Sequence, residues 1–351
     1  MSIGLLVTDY NRAQLFAHLD ALEVSSYNGY QPTDPTGDIS PARLDRLWQL
    51  LNGRYEQTQN VNELNTAIDL CQLLVQKTAH DHPDYPARLV GLAGLLDGRY
   101  EQTQNFDDLN TAIDLCQLAV QKTAHDHPDY PARLDILTGL LQHRGEIEVD
   151  VDDLNRAIKA CCRAALKTPR AHPDLAARYF RLGDIFECRF RYTAFLPNLH
   201  SAINFARTAI LATPDDQYVL AERRASLGEM LERRYGCTED IADLDEGIQF
   251  SSQAVEATDK SSCWLAERLS NLARKFGLRY GALTEIEDLH KAILLYRRSL
   301  EASADGEHHL RAECMSHLRS HLKTRYRLLR DFPDLQEADY LSSPSDRGHH
   351  S

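Results

Sequence analysis

Long apolar runs are missing from this sequence. Hydrophobic residues make up 43% of the 351 residues, but no apolar stretch approaches the roughly 18 residues that a membrane-spanning helix needs. Residues 1–22 also lack the order of a signal peptide, which is a basic start, an apolar centre and a cleavage site of small residues. We therefore predict a cytoplasmic protein.

A basic excess is missing as well. The 39 lysine and arginine residues are outnumbered by 52 aspartate and glutamate residues, so the net charge at pH 7 is −13. Nucleic acids and anionic membranes are bound through clustered basic side chains. The composition therefore predicts no nucleic-acid partner and no membrane partner. It favours a protein or peptide partner, and among these a basic one, with a small-molecule ligand as the less favoured alternative.

What the sequence does contain is a repeat. A leucine followed three residues later by an alanine recurs at an interval of 45 residues, and the last interval is 46. The members are Leu64/Ala67, Leu109/Ala112, Leu154/Ala157, Leu199/Ala202, Leu289/Ala292 and Leu335/Ala338, with Leu244/Gly247 in the remaining position. A fixed period of this length is typical of stacked repeats, in which each unit buries its apolar face against its neighbours.

Each repeat has the pattern of two helices. In the first repeat, leucines at residues 44, 47, 50 and 51 predict one amphipathic helix over about residues 42–55. A second apolar stripe predicts another helix over about residues 62–78, and Pro83 disfavours helical geometry in the residue before it. Residues 41–85 and 86–130 differ at nine of 45 positions, which indicates a recent duplication within the chain.

The sequence motifs of several enzyme classes are absent. None of the eight cysteines stands in a C-x-x-C pair, and no Gly-Lys-Ser/Thr, G-x-S-x-G or H-E-x-x-H string occurs. The most metal-like cluster is His80-Asp81-His82, which returns at residues 125–127. Later repeats replace most of its histidines, as expected for a turn rather than a metal site. We predict no catalytic residue, no metal ion and no cofactor, and favour a non-enzymatic role.

These patterns predict the fold class and the domain organisation. The predicted fold is an all-α protein, an α-solenoid of about six and a half antiparallel helix hairpins in a right-handed superhelix. Residues 1–40 are interpreted as an N-terminal half-repeat helix and loop, and residues 41–341 as the helical repeat array. Residues 342–351 are polar and are predicted to be a disordered tail.

An arginine recurs in all seven repeats, and nine residues later stands an acid or, once, an asparagine. The pairs are Arg54/Glu63, Arg99/Asp108, Arg144/Asp153, Arg189/Asn198, Arg234/Asp243, Arg279/Asp288 and Arg325/Asp334. The arginine falls at the predicted end of the first helix and the acid at the start of the second, so both suit the helix dipoles. One interpretation is a structural clasp across the hairpin, and the alternative is a ladder of arginines that binds carboxylate or phosphate groups.

The first helix of each repeat is expected to line the concave surface of the array, and its non-core positions vary between repeats. Drift on an unconstrained surface is the alternative explanation of this variation. The candidate partner-binding residues in this groove are Trp48, Gln49, Asp97, Gln142, Phe180, Asp184, Glu187, Glu229, Glu232 and Arg274. Because Asp184, Glu187, Glu229 and Glu232 would make its centre acidic, we expect a partner that carries lysine and arginine.

The repeat resembles the tetratricopeptide repeat. Leu182-Gly183, Ala202, Ala209 and Pro214 follow the order of that family's pattern, although this period is 45 residues and the family's is about 34. The strings at residues 99–103, 108–113 and 127–129 are similar to long tetratricopeptide-like arrays in fungal multidomain proteins. Those arrays often accompany a caspase-like CHAT domain or a NACHT nucleotide-binding domain, and the resemblance implies architecture rather than activity.

Three functions follow as hypotheses. The first is a non-enzymatic scaffold or adaptor that binds a peptide or protein in its groove. The second, implied by the resemblance, is a regulatory or sensor module of a fungal-type effector system that acts in trans. The third is an enzyme or small-molecule-binding protein with an apolar pocket inside the solenoid, for which the candidate residues are Phe180, Phe186, Phe190, Tyr192 and Phe195.

Overall fold

A computed structural model describes residues 46, 49, 53, 57, 58, 60–214, 216–304 and 308–342. From residue 61 onward, the described part of the chain forms thirteen α-helices. They are α1 Val61–Lys77, α2 Tyr85–Thr103, α3 Phe106–Lys122, α4 Tyr130–Ile147, α5 Val151–Lys167, α6 Asp174–Thr193, α7 Leu196–Ala212, α8 Gln217–Thr238, α9 Ile241–Glu256, α10 Leu265–Leu283, α11 Ile286–Ala302, α12 His308–Leu329 and α13 Phe332–Tyr340.

Several sequence predictions fall on residues that the structure does not describe. The half-repeat of residues 1–40, the candidate groove residue Trp48 and the clasp residue Arg54 lie outside the described residues, as does the tail from residue 343. Of the first repeat's first helix, the described positions 46, 49, 53, 57 and 58 are helical. No helix among the described residues is both long enough and apolar enough to cross a membrane.

The chain divides into two compact units, Met1–Lys167 and Thr168–Ser351. In each unit, consecutive helices pack as antiparallel pairs, which confirms the prediction of an all-α fold built from helix hairpins. The hairpins are α2/α3 and α4/α5 in the first unit, and α6/α7, α8/α9, α10/α11 and α12/α13 in the second. Within a unit, the second helix of each hairpin also packs against the first helix of the next, so the hairpins stack in sequence order.

The repeated leucines and alanines form the core of this stack. All of them that stand in α1, α3, α5, α7 and α11 have no solvent exposure, and Leu244 of α9 is likewise fully buried. Second helices begin at residues 61, 106, 151, 196, 241 and 286, an interval of 45, and the last begins at residue 332. The sequence period therefore matches the spacing of the helices.

The turn inside each hairpin is short, and five of the six hairpins share one backbone form; in the sixth, α4/α5, the left-handed residue is Val149, one position later. α2, α6, α8, α10 and α12 are each followed by one residue in the left-handed region, which closes the helix. These residues are Gln104, Ala194, Glu239, Thr284 and Arg330, with φ between 50° and 59°. The next residue precedes the second helix, and at Asn105 and Asp240 its side chain accepts a backbone N–H bond from that helix.

Candidate functional site

The recurring arginines and acids meet across the hairpins. Arg144 donates from Nε to Asp153 Oδ2 at 2.6 Å and from Nη2 to Oδ1 at 3.0 Å. The Asp153 side chain is 2% exposed. The same two-point contact joins Arg99 to Asp108, Arg234 to Asp243, Arg279 to Asp288 and Arg325 to Asp334. Arg189 donates to Asn198, and Glu63 accepts a bond from Thr58 at 2.7 Å.

The same arginines also bind the preceding repeat. Nη1 of Arg144 donates to Asn110 Oδ1 at 2.5 Å, and Nη1 of Arg279 donates to Asp245 Oδ1 at 2.6 Å. Burial raises the pKa of Asp153, but the hydrogen bonds and charges of Arg144 and Arg156 outweigh it and hold that pKa below its usual value. The guanidinium groups of Arg144 and Arg279 therefore each bind acceptors on two other helices, which are the second helices of their own hairpin and of the preceding one.

A second recurring arginine was missed by the sequence reasoning. Arg178 is 5% exposed and donates from Nη1 to Thr168 Oγ1 at 2.6 Å. The same contact, from a first helix to the threonine that ends the preceding second helix, joins Arg88 to Thr78, Arg133 to Thr123, Arg223 to Thr213 and Arg268 to Thr258. The signal was present in the sequence, because these arginines also recur every 45 residues.

The histidine-rich turns have structural contacts of their own. His82 Nδ1 accepts the backbone N–H of Asp84 at 3.2 Å, and His127 does the same for Asp129 at 3.1 Å. The ring of His80 stacks on Tyr85 with a centroid distance of 4.9 Å. Within the described part of the chain, no three histidine, cysteine, aspartate or glutamate side chains are grouped as metal ligands.

The acidic residues predicted at the centre of the groove pair with basic residues of the next first helix. Glu187 of α6 lies 3.0 Å from Arg233 of α8, and its side chain is 15% exposed. Glu232 of α8 lies 2.8 Å from Arg274 Nε and 3.0 Å from Lys275 Nζ of α10. The structure thus brings these acids into a series of contacts that joins successive hairpins of the second unit.

The other predicted groove residues lie at several depths. Glu229 accepts a bond from Asn271 Nδ2 at 2.7 Å, and burial raises its pKa, although the charge of Lys275 lowers it in part. Asp97 of α2 lies 3.9 Å from His143 Nδ1 of α4. Gln49 is exposed and Asp184 is half-buried. Gln142 donates a hydrogen bond to Glu146, and the guanidinium of Arg223 lies over the ring of Phe180.

Lys275 is fully buried, at a position where other repeats have apolar residues. The corresponding residues are Leu95, Leu140, Ile185 and Met230. Burial lowers the pKa of Lys275, and the charge of Glu232 opposes that shift. A Cβ added at Gly247 would lie 3.7 Å from Lys275 Cδ. The lysine stem therefore occupies space beside the one glycine that interrupts the repeated alanines.

A cleft of about 730 Å³ opens along the first helices of the second unit. Its walls include Glu229 and Arg233 of α8, Glu267 and Arg274 of α10, and Glu313 of α12. Trp264, directly before α10, lies in its lining and is 49% exposed. The cleft is therefore mainly polar, with one large aromatic side chain at its surface.

The aromatic residues proposed for an apolar pocket differ in their depth and contacts. Phe190 is 8% exposed and belongs to a core cluster, whereas Phe195 is 58% exposed. Phe186 stacks on Phe205 with a centroid distance of 5.6 Å. The polar cleft shares none of these side chains.

The sequence matches no protein-family model and no curated protein. Solved structures match in fold. The C-terminal part of a tetratricopeptide-repeat protein from Cytophaga hutchinsonii is 12% identical with a TM-score of 0.56, over 88% of this chain and 95% of that one. A tetratricopeptide-repeat protein from Thermus thermophilus is 18% identical with a TM-score of 0.40, over 66% and 98%. The chain thus has the fold of tetratricopeptide-like helical repeats.

Proposed function

We propose that this protein is a non-enzymatic scaffold that binds a segment of another protein in the cleft of its second unit. The observation that carries the proposal is the cleft itself, whose walls come from three successive first helices. Stacked helical repeats use such extended surfaces for recognition. A half-exposed tryptophan among polar side chains is typical of protein interfaces, where aromatic anchors supply much of the binding energy.

The structure also changes which groove residues we expect to touch the partner. Glu187 and Glu232 are each held by a basic residue of the neighbouring helix, so we propose that they shape the cleft rather than bind the partner directly. Glu229 and Arg274 line the cleft and remain contact candidates. The role as a regulatory module acting in trans stays a prediction from the resemblance.

Site-specific photo-cross-linking tests this proposal. A photoreactive phenylalanine derivative replaces His309, which is exposed on the cleft wall, and in a control variant it replaces Glu256, exposed at the end of α9. After irradiation in an extract of the native cell, we expect a discrete cross-linked protein from position 309 and none from position 256. Equal adducts from both positions, or none from position 309, would contradict the proposal.

A further inference from the structure

Trp264 occupies a position where three other repeats have aspartate and the preceding repeat has Val219. The three aspartates, Asp84, Asp129 and Asp174, each form an ion pair with the arginine four residues later, at 3.9, 3.2 and 3.4 Å. Trp264 cannot make this contact with Arg268.

The indole ring is only partly packed. The Trp264 side chain remains 49% exposed, so about half of this large aromatic surface stays in contact with solvent. A large aromatic side chain left half exposed on a polar surface is typical of binding positions. Because Trp264 lines the cleft, the contact that it lacks is one that a bound molecule would supply.

The charge beside Trp264 indicates the chemistry of that molecule. Glu267 lies one helical turn along α10, and no lysine, arginine or histidine nitrogen of the described chain is within 4.0 Å of its carboxylate. Glu313 of α12, also in the lining, lies 3.8 Å from His317 Nε2. The two arginines in the lining are already held by Glu187 and Glu232. Both guanidinium groups of the cleft thus have carboxylate partners, whereas Glu267 has no lysine or arginine partner among the described residues and Glu313 has only a histidine within that part of the chain.

We propose that Trp264, Glu267 and Glu313 form a subsite for a lysine or arginine side chain of the bound segment. The cation lies over the face of the indole ring, which attracts positive charge, and the two carboxylates accept its N–H groups. This inference rests on the proposed function, since it names the side chain that the cleft selects. It also gives Trp264 a role that the fold does not.

A random library of short peptides on beads tests the subsite. The variants are Trp264→Val, which introduces the residue of the preceding repeat at this position (Val219) and should keep α10 folded, and Glu267→Gln. Glu256→Gln, at the exposed end of α9, is the matched control. We expect the unaltered chain to select lysine or arginine at one peptide position. Both cleft variants should bind those peptides about tenfold more weakly, while the control binds them as before.

The outcomes separate this inference from the proposed function. Two outcomes overturn the subsite and leave the binding cleft in place. One is the selection of peptides without a basic preference, and the other is a Trp264→Val variant that binds the basic peptides as tightly as the unaltered chain. If the unaltered chain retains no peptide and position 309 gives no cross-link, both the subsite and the binding cleft are overturned. Unchanged thermal unfolding of the variants shows that any lost binding comes from the removed contacts.

Discussion

At the scale of the residue, we expect the buried arginine–aspartate ion pairs to stabilise the hairpins that contain them. In Asp153→Ala the Arg144 guanidinium loses both of its bonds to the second helix, so we expect a loss of about 2–4 kcal/mol in unfolding free energy. The control is the exposed neighbour Asp152, since Asp152→Ala should lower the unfolding free energy by less than about 1 kcal/mol. Urea unfolding followed by circular dichroism measures both values, and equal losses would contradict the clasp.

The same pair has a pH dependence whose sign follows from its pKa. Because the folded chain holds the pKa of Asp153 below its usual value, the carboxylate stabilises the fold above its unfolded pKa of about 3.9. That contribution is lost as the pH falls through the lower, folded pKa. The stability difference between the unaltered chain and Asp153→Ala should therefore shrink on acidification.

Replacement of the buried Lys275 should preserve or raise the stability of the fold, in contrast to the loss expected for Asp153→Ala. Lys275→Met introduces the apolar residue of the preceding repeat and leaves Glu232 paired with Arg274, so we expect stability to be unchanged or to rise by about 1–4 kcal/mol. Glu232→Gln instead removes the carboxylate that compensates a fully buried ammonium group and should cost about 3 kcal/mol. Thermal unfolding of the two variants in parallel checks the prediction, which fails if both lose stability equally.

At the scale of the element, the sequence period was a good guide to the helices and to contacts within one hairpin. The second helix expected over about residues 62–78 is found as Val61–Lys77. The arginines and acids nine residues apart do meet across the hairpin turns. Both could be predicted because the determining residues are close in sequence and occur in every repeat.

The contacts between successive first helices could not be predicted in this way. The pairs Glu187/Arg233 and Glu232/Arg274 are separated by about one repeat, and each involves a position that differs from repeat to repeat. A varying position gives no periodic signal, and several helix faces could accommodate the same charge. The acidic groove was therefore inferred from the carboxylates alone, without the basic residues that the fold brings beside them.

Hairpin turns offer a prediction at this scale. Ala194 has φ of 50°, a conformation that glycine adopts without strain, so Ala194→Gly should stabilise the chain by about 0.5–1 kcal/mol. Ala171 lies in an exposed turn and is not among the positive-φ residues. Ala171→Gly should therefore destabilise by a similar amount, since glycine increases the freedom of the unfolded chain. Melting temperatures that shift in the same direction for both variants would contradict this account of the turn.

At the scale of the whole molecule, the chain is a series of similar hairpins. Residues 41–85 and 86–130 differ at nine of 45 positions, and neither hairpins nor turns depend on a particular copy. Because each hairpin packs only against its neighbours, stability should scale with the number of hairpins. The cleft in the second unit is lined by residues that differ between copies, such as Trp264 and Arg274.

Deletion of one repeat tests this central claim most directly. Removal of residues 86–130 joins Tyr85 to Pro131, which recreates the Tyr-Pro junction already present before residue 86. We predict a helical protein that still unfolds cooperatively by circular dichroism, at a somewhat lower temperature. Removal of residues 86–115 instead puts the remaining helices out of phase and should abolish cooperative unfolding. If the in-phase deletion unfolds the chain as completely as the out-of-phase one, the hairpins are not independent modules and the account is wrong.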